Sequence, residues 1–249
     1  MQFLHDNHYA VISLADAAKM ISSGASEPLT HVSSGLTNLP SFQYSSIPQK
    51  NVVLTFDDGY SDFCDWALPE LQKYGFSATV FLATGFVGEN PKLFKGKECL
   101  TWIEIQELAH NGIEFGSHTV RHRRLIEMNR EELRYEITVS KEAIEAKVAM
   151  PVEAFSYPFA FPDGHFEHIS AIRKILQDNG FKCGVTTRIG RAAPADDALF
   201  LKRLPISEYD DIRLFKAKLG GAYDWLFWPQ LLYKRALGSR SRGVRDCRA

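Results

Sequence analysis

The sequence predicts an α/β fold, with a parallel sheet or barrel, on two observations. From residue 51 onward, short β-like runs alternate with helical patterns. The strongest polar motifs then stand at the C-terminal ends of those runs, the edge where parallel α/β folds collect their active sites.

The elements follow in order. Residues 13–23, with Leu14, Ala15, Asp16, Ala17, Ala18, Lys19 and Met20, read as a helix. Residues 24–50 are rich in Ser, Pro, Thr and Gly and predict a long irregular connection. Strands are expected at 51–56, 78–83, 113–117, 153–157 and 183–187, with a weaker one at 199–204. Helices are expected between them at 62–74, 101–110, 129–147, 167–179 and 209–219. Parallel strands joined through helices require right-handed crossovers. The boundaries drawn are 1–50 for the N-terminal helix and connection, 51–222 for the main domain, and 223–249 for an aromatic and then basic C-terminal segment.

Composition excludes several classes. A chain of 249 residues with 45% hydrophobic and 24% charged content fits a globular domain with a full core. The net charge of -1 gives no reason to expect nucleic acid as a partner. The four cysteines, Cys64, Cys99, Cys183 and Cys247, form no CxxC pair, which argues against a zinc knuckle and fits free thiols. No apolar run reaches the roughly 20 residues that a bilayer span needs. The N-terminus lacks the basic and apolar regions of a signal peptide, so the expected location is the cytoplasm.

Two motifs carry the chemistry. The run Val52-Val53-Leu54 leads into Asp57-Asp58-Gly59, and Ile113 to Gly116 leads into His118, with His122 four residues on. Asp-Gly is an ordinary turn signal by itself. Adjacent carboxylates repel if both are ionised and buried, which calls for a cation beside them. Spacing of four puts both imidazoles on one helical face, where they can chelate a metal and complete an Asp/His/His donor set with one carboxylate spare. Two His and one carboxylate suit zinc and also accept cobalt, nickel or iron.

These motifs carry a family resemblance. Thr55 to Gly59, Ser117 to His122 and Phe155 to Ala160, read with Leu100 to Ile105 and Glu136 to Lys141, resemble the polysaccharide deacetylase family, the NodB-homology enzymes of carbohydrate esterase family 4. The late Arg203-Leu204-Pro205-Ile206 is like the branch that acts on bacterial exopolysaccharides. The resemblance implies a distorted (β/α) TIM-like barrel of about seven strands. It also implies a divalent metal, and hydrolysis of N-acetyl groups from an N-acetylated amino-sugar glycan. By motif, Asp57 takes the place of the general base, and Asp58, His118 and His122 those of the metal ligands. Tyr157, Pro158 and Phe159 take the place of the acetyl-pocket wall, with a backbone donor near Phe159.

Three departures stand out. The family has Arg where this chain has Ser156, and Arg203 is the candidate replacement because it ends a strand-like run at the same edge. The family's late His is absent, and the last histidine here is His168. His165 and His168 are weighed for its role as general acid, with solvated loop histidines the favoured reading. The chain also starts at the first helix, which puts the first stave in question. Two rival readings of function are kept: an amidohydrolase of a small cyclic amide, and a glycan-binding protein that lost turnover. The segment Tyr223 to Trp228, followed by Lys234, Arg235, Arg240 and Arg242, reads as a final helix with a basic tail, or as a membrane-surface contact.

Overall fold

The computed structural model describes residues 1–23, 50–194 and 196–232. The expected connection at 24–49 and the basic tail from residue 233 lie outside the described residues. After a short helix α1 (Gln2–Asp6) come strand β1 (Ala10–Val11) and helix α2 (Leu14–Ser23). The chain resumes with β2 (Asn51–Val52) and β3 (Thr55–Phe56), then a π turn at Phe63–Ala67 that runs into α3 (Leu68–Tyr74). Next are β4 (Thr79–Leu82), a hairpin of β5 (Leu93–Phe94) and β6 (Lys97–Glu98), α4 (Trp102–His110), β7 (Glu114–Ser117) and α5 (Arg130–Val148). The last elements are β8 (Ala154–Ser156), α6 (Phe166–Asp178), β9 (Cys183–Ile189), β10 (Leu201–Arg203) and α7 (Ile212–Leu219).

Six strands form one parallel sheet in the order β10-β9-β8-β7-β4-β3. All neighbours within it run parallel, as the strand–helix alternation requires. The first stave is present, but only two residues long: β1 pairs in parallel with β2. The sequence reading began at the helix that follows it, because two residues carry no readable period. The helix ends are set locally. Thr101 and Asn129 each form a capping box, with Glu104 and Glu132 respectively.

Strand alternation sorts the side chains between two sides. Val80, Leu82, Phe115, Phe155 and Tyr157 join the large core under α4, α5 and α6. Phe81, Cys183, Val185 and Leu201 turn the other way, inside the curl of the sheet, where Leu14 and Ala18 of α2 pack against them. Gly116 makes room there: a Cβ on it would lie 2.4 Å from the Phe81 ring. The interior is therefore packed at its lower end, and polar groups gather at the upper end. Among the described residues no helix is long and apolar enough to cross a membrane. Gln230 ties the C-terminal segment to β9, accepting from Ile189 N at 3.0 Å and donating to Thr187 O at 2.8 Å, while Trp225 and Trp228 stay exposed.

Candidate metal centre and active site

The upper ends of β3, β7, β8 and β10 bring the inward-facing residues together. Donor atoms of Asp58, His118 and His122 lie within 4.8 Å of one another. Asp58 Oδ1 is 3.5 Å from His118 Nε2 and 3.2 Å from His122 Nε2. His118 Nδ1 is 2.8 Å from the Ser156 carbonyl, to which it must donate. That contact fixes the tautomer and leaves the Nε2 lone pair facing Asp58. Asp58 Oδ1 and His122 Nδ1 are buried without a hydrogen-bond partner. Three converging donors, one of them an orphaned carboxylate oxygen, fit a divalent cation.

His118 and His122 do not share a helix face as their spacing suggested: the stretch between them is irregular and the backbone bends sharply, which is what turns both rings to one point. Asp58, Thr119, His122 and Phe159 all have positive φ, at 73°, 69°, 50° and 56°. Such conformations are costly for residues with a Cβ and concentrate at functional sites. Buried Glu136 of α5 holds the His118–His122 loop, accepting from Val120 N at 2.9 Å and Arg121 N at 2.8 Å, and from Arg121 Nε at 2.6 Å.

Asp57 points into the same space from the adjacent position. Arg203 grips it at both oxygens, each contact 2.8 Å, and Ser156 Oγ donates to Oδ1 at 3.1 Å. Arg203 is itself anchored, its Nε donating to Thr186 O at 3.1 Å. Burial pushes the Asp57 carboxyl up, but the Arg203 charge and the hydrogen bonds from Arg203 and Ser156 pull it down, and the pKa lies below the ordinary value.

The proposed pocket wall divides. Phe159 is 41% exposed and its ring lies 4.7 Å from that of His122. Pro158 is buried beside it in the chain. Tyr157 departs from the expectation. Its ring is 1% exposed and packs on Phe155 and Phe161 in the helix-side core. The reason is the strand period of two: Ser156 faces Asp57, so its neighbour must face away. His168 is also turned elsewhere, with Nε2 2.6 Å from Leu125 O, and His165 sits at the N-cap of α6.

The sequence reading missed the hairpin β5–β6. Phe94 stands 5.1 Å from His122, and Lys95 Nζ is 3.4 Å from Asp58 Oδ2. Its one local signal was Lys95-Gly96 between two short runs.

The family model for polysaccharide deacetylase matches residues 45–184. The chain belongs to the polysaccharide deacetylase family. Enzymes of this family depend on a metal ion, for which Asp58, His118 and His122 form the candidate site. This deacetylase-family chain is 28% identical over 207 residues to YxkH of Bacillus subtilis (strain 168), covering 83% of this chain and 62% of that protein. It is 25% identical over 170 residues to the poly-beta-1,6-N-acetyl-D-glucosamine N-deacetylase of Staphylococcus aureus (strain MRSA252), covering 65% of this chain and 56% of the relative. The chain thus spans less than two thirds of either relative. Among solved structures it resembles the Streptococcus pyogenes deacetylase PplD in complex with acetate, with a TM-score of 0.68, 25% identity, and coverage of 88% of this chain and 83% of that one.

Proposed function

We propose that the chain is a metal-dependent hydrolase that removes N-acetyl groups from an N-acetylated amino-sugar glycan or its precursor, with residues 51–222 as the catalytic unit. The observation that carries this reading is the pairing of two groups at one sheet edge: three converging metal donors, and beside them a carboxylate held by Arg203. Asp58, His118 and His122 would hold a divalent cation, zinc before cobalt, nickel or iron, which when bound would supply Lewis acidity. Asp57 is the base: kept ionised by Arg203, it takes the proton of the water as the new C–O bond forms. The Phe159 N–H is the backbone donor to the developing oxyanion. Asp57 then gives its proton to the nitrogen as the C–N bond breaks, leaving acetate and a free amine. Phe159 and Pro158 flank the acetyl group, and Tyr157 contributes its main chain alone.

The site lies open. The Asp57 side chain is 34% exposed and Phe159 is 41% exposed, which favours a polymer lying across the face over a small cyclic amide in a closed pocket. The deciding experiment is acetate release from an N-acetylglucosamine oligomer by metal-loaded protein. Asp57→Asn should abolish release and keep the metal, whereas His118→Ala should lose both. Comparable metal loss in the two variants would mean that the roles of the two aspartates are exchanged. No release from any N-acetylated glycan by metal-loaded wild type would favour a binding protein.

A further inference from the structure

The hairpin β5–β6 places a cation for which the reaction above has no use. Its turn is Lys95-Gly96, with φ of 50° and 82°. Left-handed backbone at a lysine is unfavourable, so neighbouring contacts must hold the tip in place. Phe94 is 8% exposed, stacks on Phe86 at 4.2 Å and meets His122 at 5.1 Å. At the base of the hairpin Ser61 N donates to Glu98 O at 3.0 Å and Leu100 N to Gly59 O at 2.9 Å. The hairpin is thereby tied to the loop that carries Asp58.

The Lys95 ammonium lies 3.4 Å from Asp58 Oδ2, 4.5 Å from the Phe94 ring centroid and 5.7 Å from that of Phe159. Arg124, just beyond His122, lies 5.6 Å from the same Phe159 ring. Two cations from separate loops therefore converge on the exposed ring beside a metal donor. Their side chains remain 50% and 62% exposed, and Arg124 has an acidic neighbour in Glu127 at 3.8 Å. Each cation here has an acidic partner, and it is a bound dication that would upset the balance. Asp57 is matched by Arg203. A dication more than matches Asp58, so Lys95 then faces a net positive centre. A neutral sugar polymer offers these cations no counter-charge.

We propose that Lys95 and Arg124 form an anion subsite beside the metal centre, and that the substrate carries a carboxylate or phosphate next to its N-acetylated sugar. The proposal rests on the deacetylase reading and names its substrate class, an anionic N-acetylated glycan. Phe159 gives the sugar an apolar face to lie on, and a cation from each loop meets the acidic substituent. If Lys95 served only as the counter-charge of Asp58, it would not distinguish anionic from neutral substrates.

The experiment compares three N-acetylated oligosaccharides of equal length, one neutral, one carboxylated and one phosphorylated, on metal-loaded protein. Wild type is expected to show a lower KM for at least one anionic oligomer than for the neutral one, with the gap shrinking as salt is raised. The oligomer that shows the gap identifies the acid. Lys95→Met and Arg124→Met should each raise that KM roughly fivefold, about what an exposed charge pair contributes, and raise the neutral KM by clearly less; equal rises for both substrates would count against the subsite. Metal titration of Lys95→Met should give equal or tighter binding, because a like charge is removed. Equal KM values for neutral and anionic oligomers in wild type, or weaker metal binding by Lys95→Met, would overturn the subsite. If none of the three is turned over, the deacetylase reading fails first. Equilibrium binding of the anionic oligomers to wild type and to Lys95→Met then decides the subsite alone, and equal affinity would sink it.

Discussion

Arg203 and Asp57 meet as a two-pronged pair, Nη1 on Oδ1 and Nη2 on Oδ2, both at 2.8 Å, although their strands β10 and β3 are the opposite ends of the sheet. Ser156 Oγ sits between them, 3.1 Å from Asp57 Oδ1 and 3.2 Å from Arg203 Nη2. The guanidinium beside Asp57 thus comes from β10 and not from the third motif, where this chain has Ser156.

A change of fork geometry should therefore matter more than loss of charge. Arg203→Lys keeps the charge but reaches only one oxygen. We expect kcat to fall by about tenfold to 10²-fold, short of the full worth of a general base, with metal content unchanged. Ser156→Arg should be worse, because Ser156 is 0% exposed and a second guanidinium would crowd the first. Ser156→Arg combined with Arg203→Ala should recover part of that loss, measured as acetate release. A double variant no better than Ser156→Arg alone would show that the two positions are not interchangeable.

The loop histidines should be dispensable. His168 is committed to the Leu125 carbonyl at 2.6 Å, and His165 occupies the N-cap position of α6 without a side-chain capping hydrogen bond. Replacing both with Ala should leave acetate release within a few-fold of wild type. A loss of about a hundredfold, the usual worth of a general acid, would move the second proton transfer from Asp57 to this loop.

Glu136→Gln should act at a distance. The carboxylate braces two backbone amides and Arg121 just before His122. Losing its charge should lower stability by about 1–3 kcal/mol. Because the brace orients a metal donor, metal affinity should also weaken by roughly tenfold or more. Thermal melts and metal titration read the two effects separately. An unchanged metal affinity would reduce Glu136 to a purely structural role.

Glu114 gives a pH test remote from the metal. It lies at the lower end of β7, accepting from Thr79 Oγ1 at 3.1 Å, with Asp16, Lys19 and the Leu14 backbone of α2 also facing it. Burial raises its pKa above the ordinary glutamate value, the Asp16 charge adds to that, and Thr79, Leu14 and Lys19 oppose it. The folded state therefore binds this proton more tightly than the unfolded state does. The group favours folding at low pH, and that contribution is lost as pH rises through the folded pKa. Glu114→Gln should remove this decline, which would appear as a smaller drop in the urea midpoint from pH 4.5 to pH 7. An identical drop in wild type and variant would refute it.

The sheet was legible because each strand from 51 onward is a short apolar run closed by a turn signal or motif, with a helical pattern after it. The Arg203 contact was legible from the same rule, since a residue ending a strand on that edge faces the others. Tyr157 was misplaced although the signal was present: adjacent strand residues cannot both face the metal. The hairpin was out of reach. Its strands have two residues each, too few for a period. The closeness of Lys95 to Asp58 arises from a tertiary contact across 37 residues.

The packed lower interior has a consequence for traffic. Phe81 fills the space that Gly116 leaves, and Leu14 and Ala18 of α2 close the end below. Among the described residues the metal-donor set is therefore reached from the side of the Phe94 hairpin and Phe159, not from below. Under the proposed reaction, acetate formed at the inner side would not drain away beneath a bound polymer, so the polymer would have to lift before the next residue is cut, which favours scattered over consecutive deacetylation along one strand.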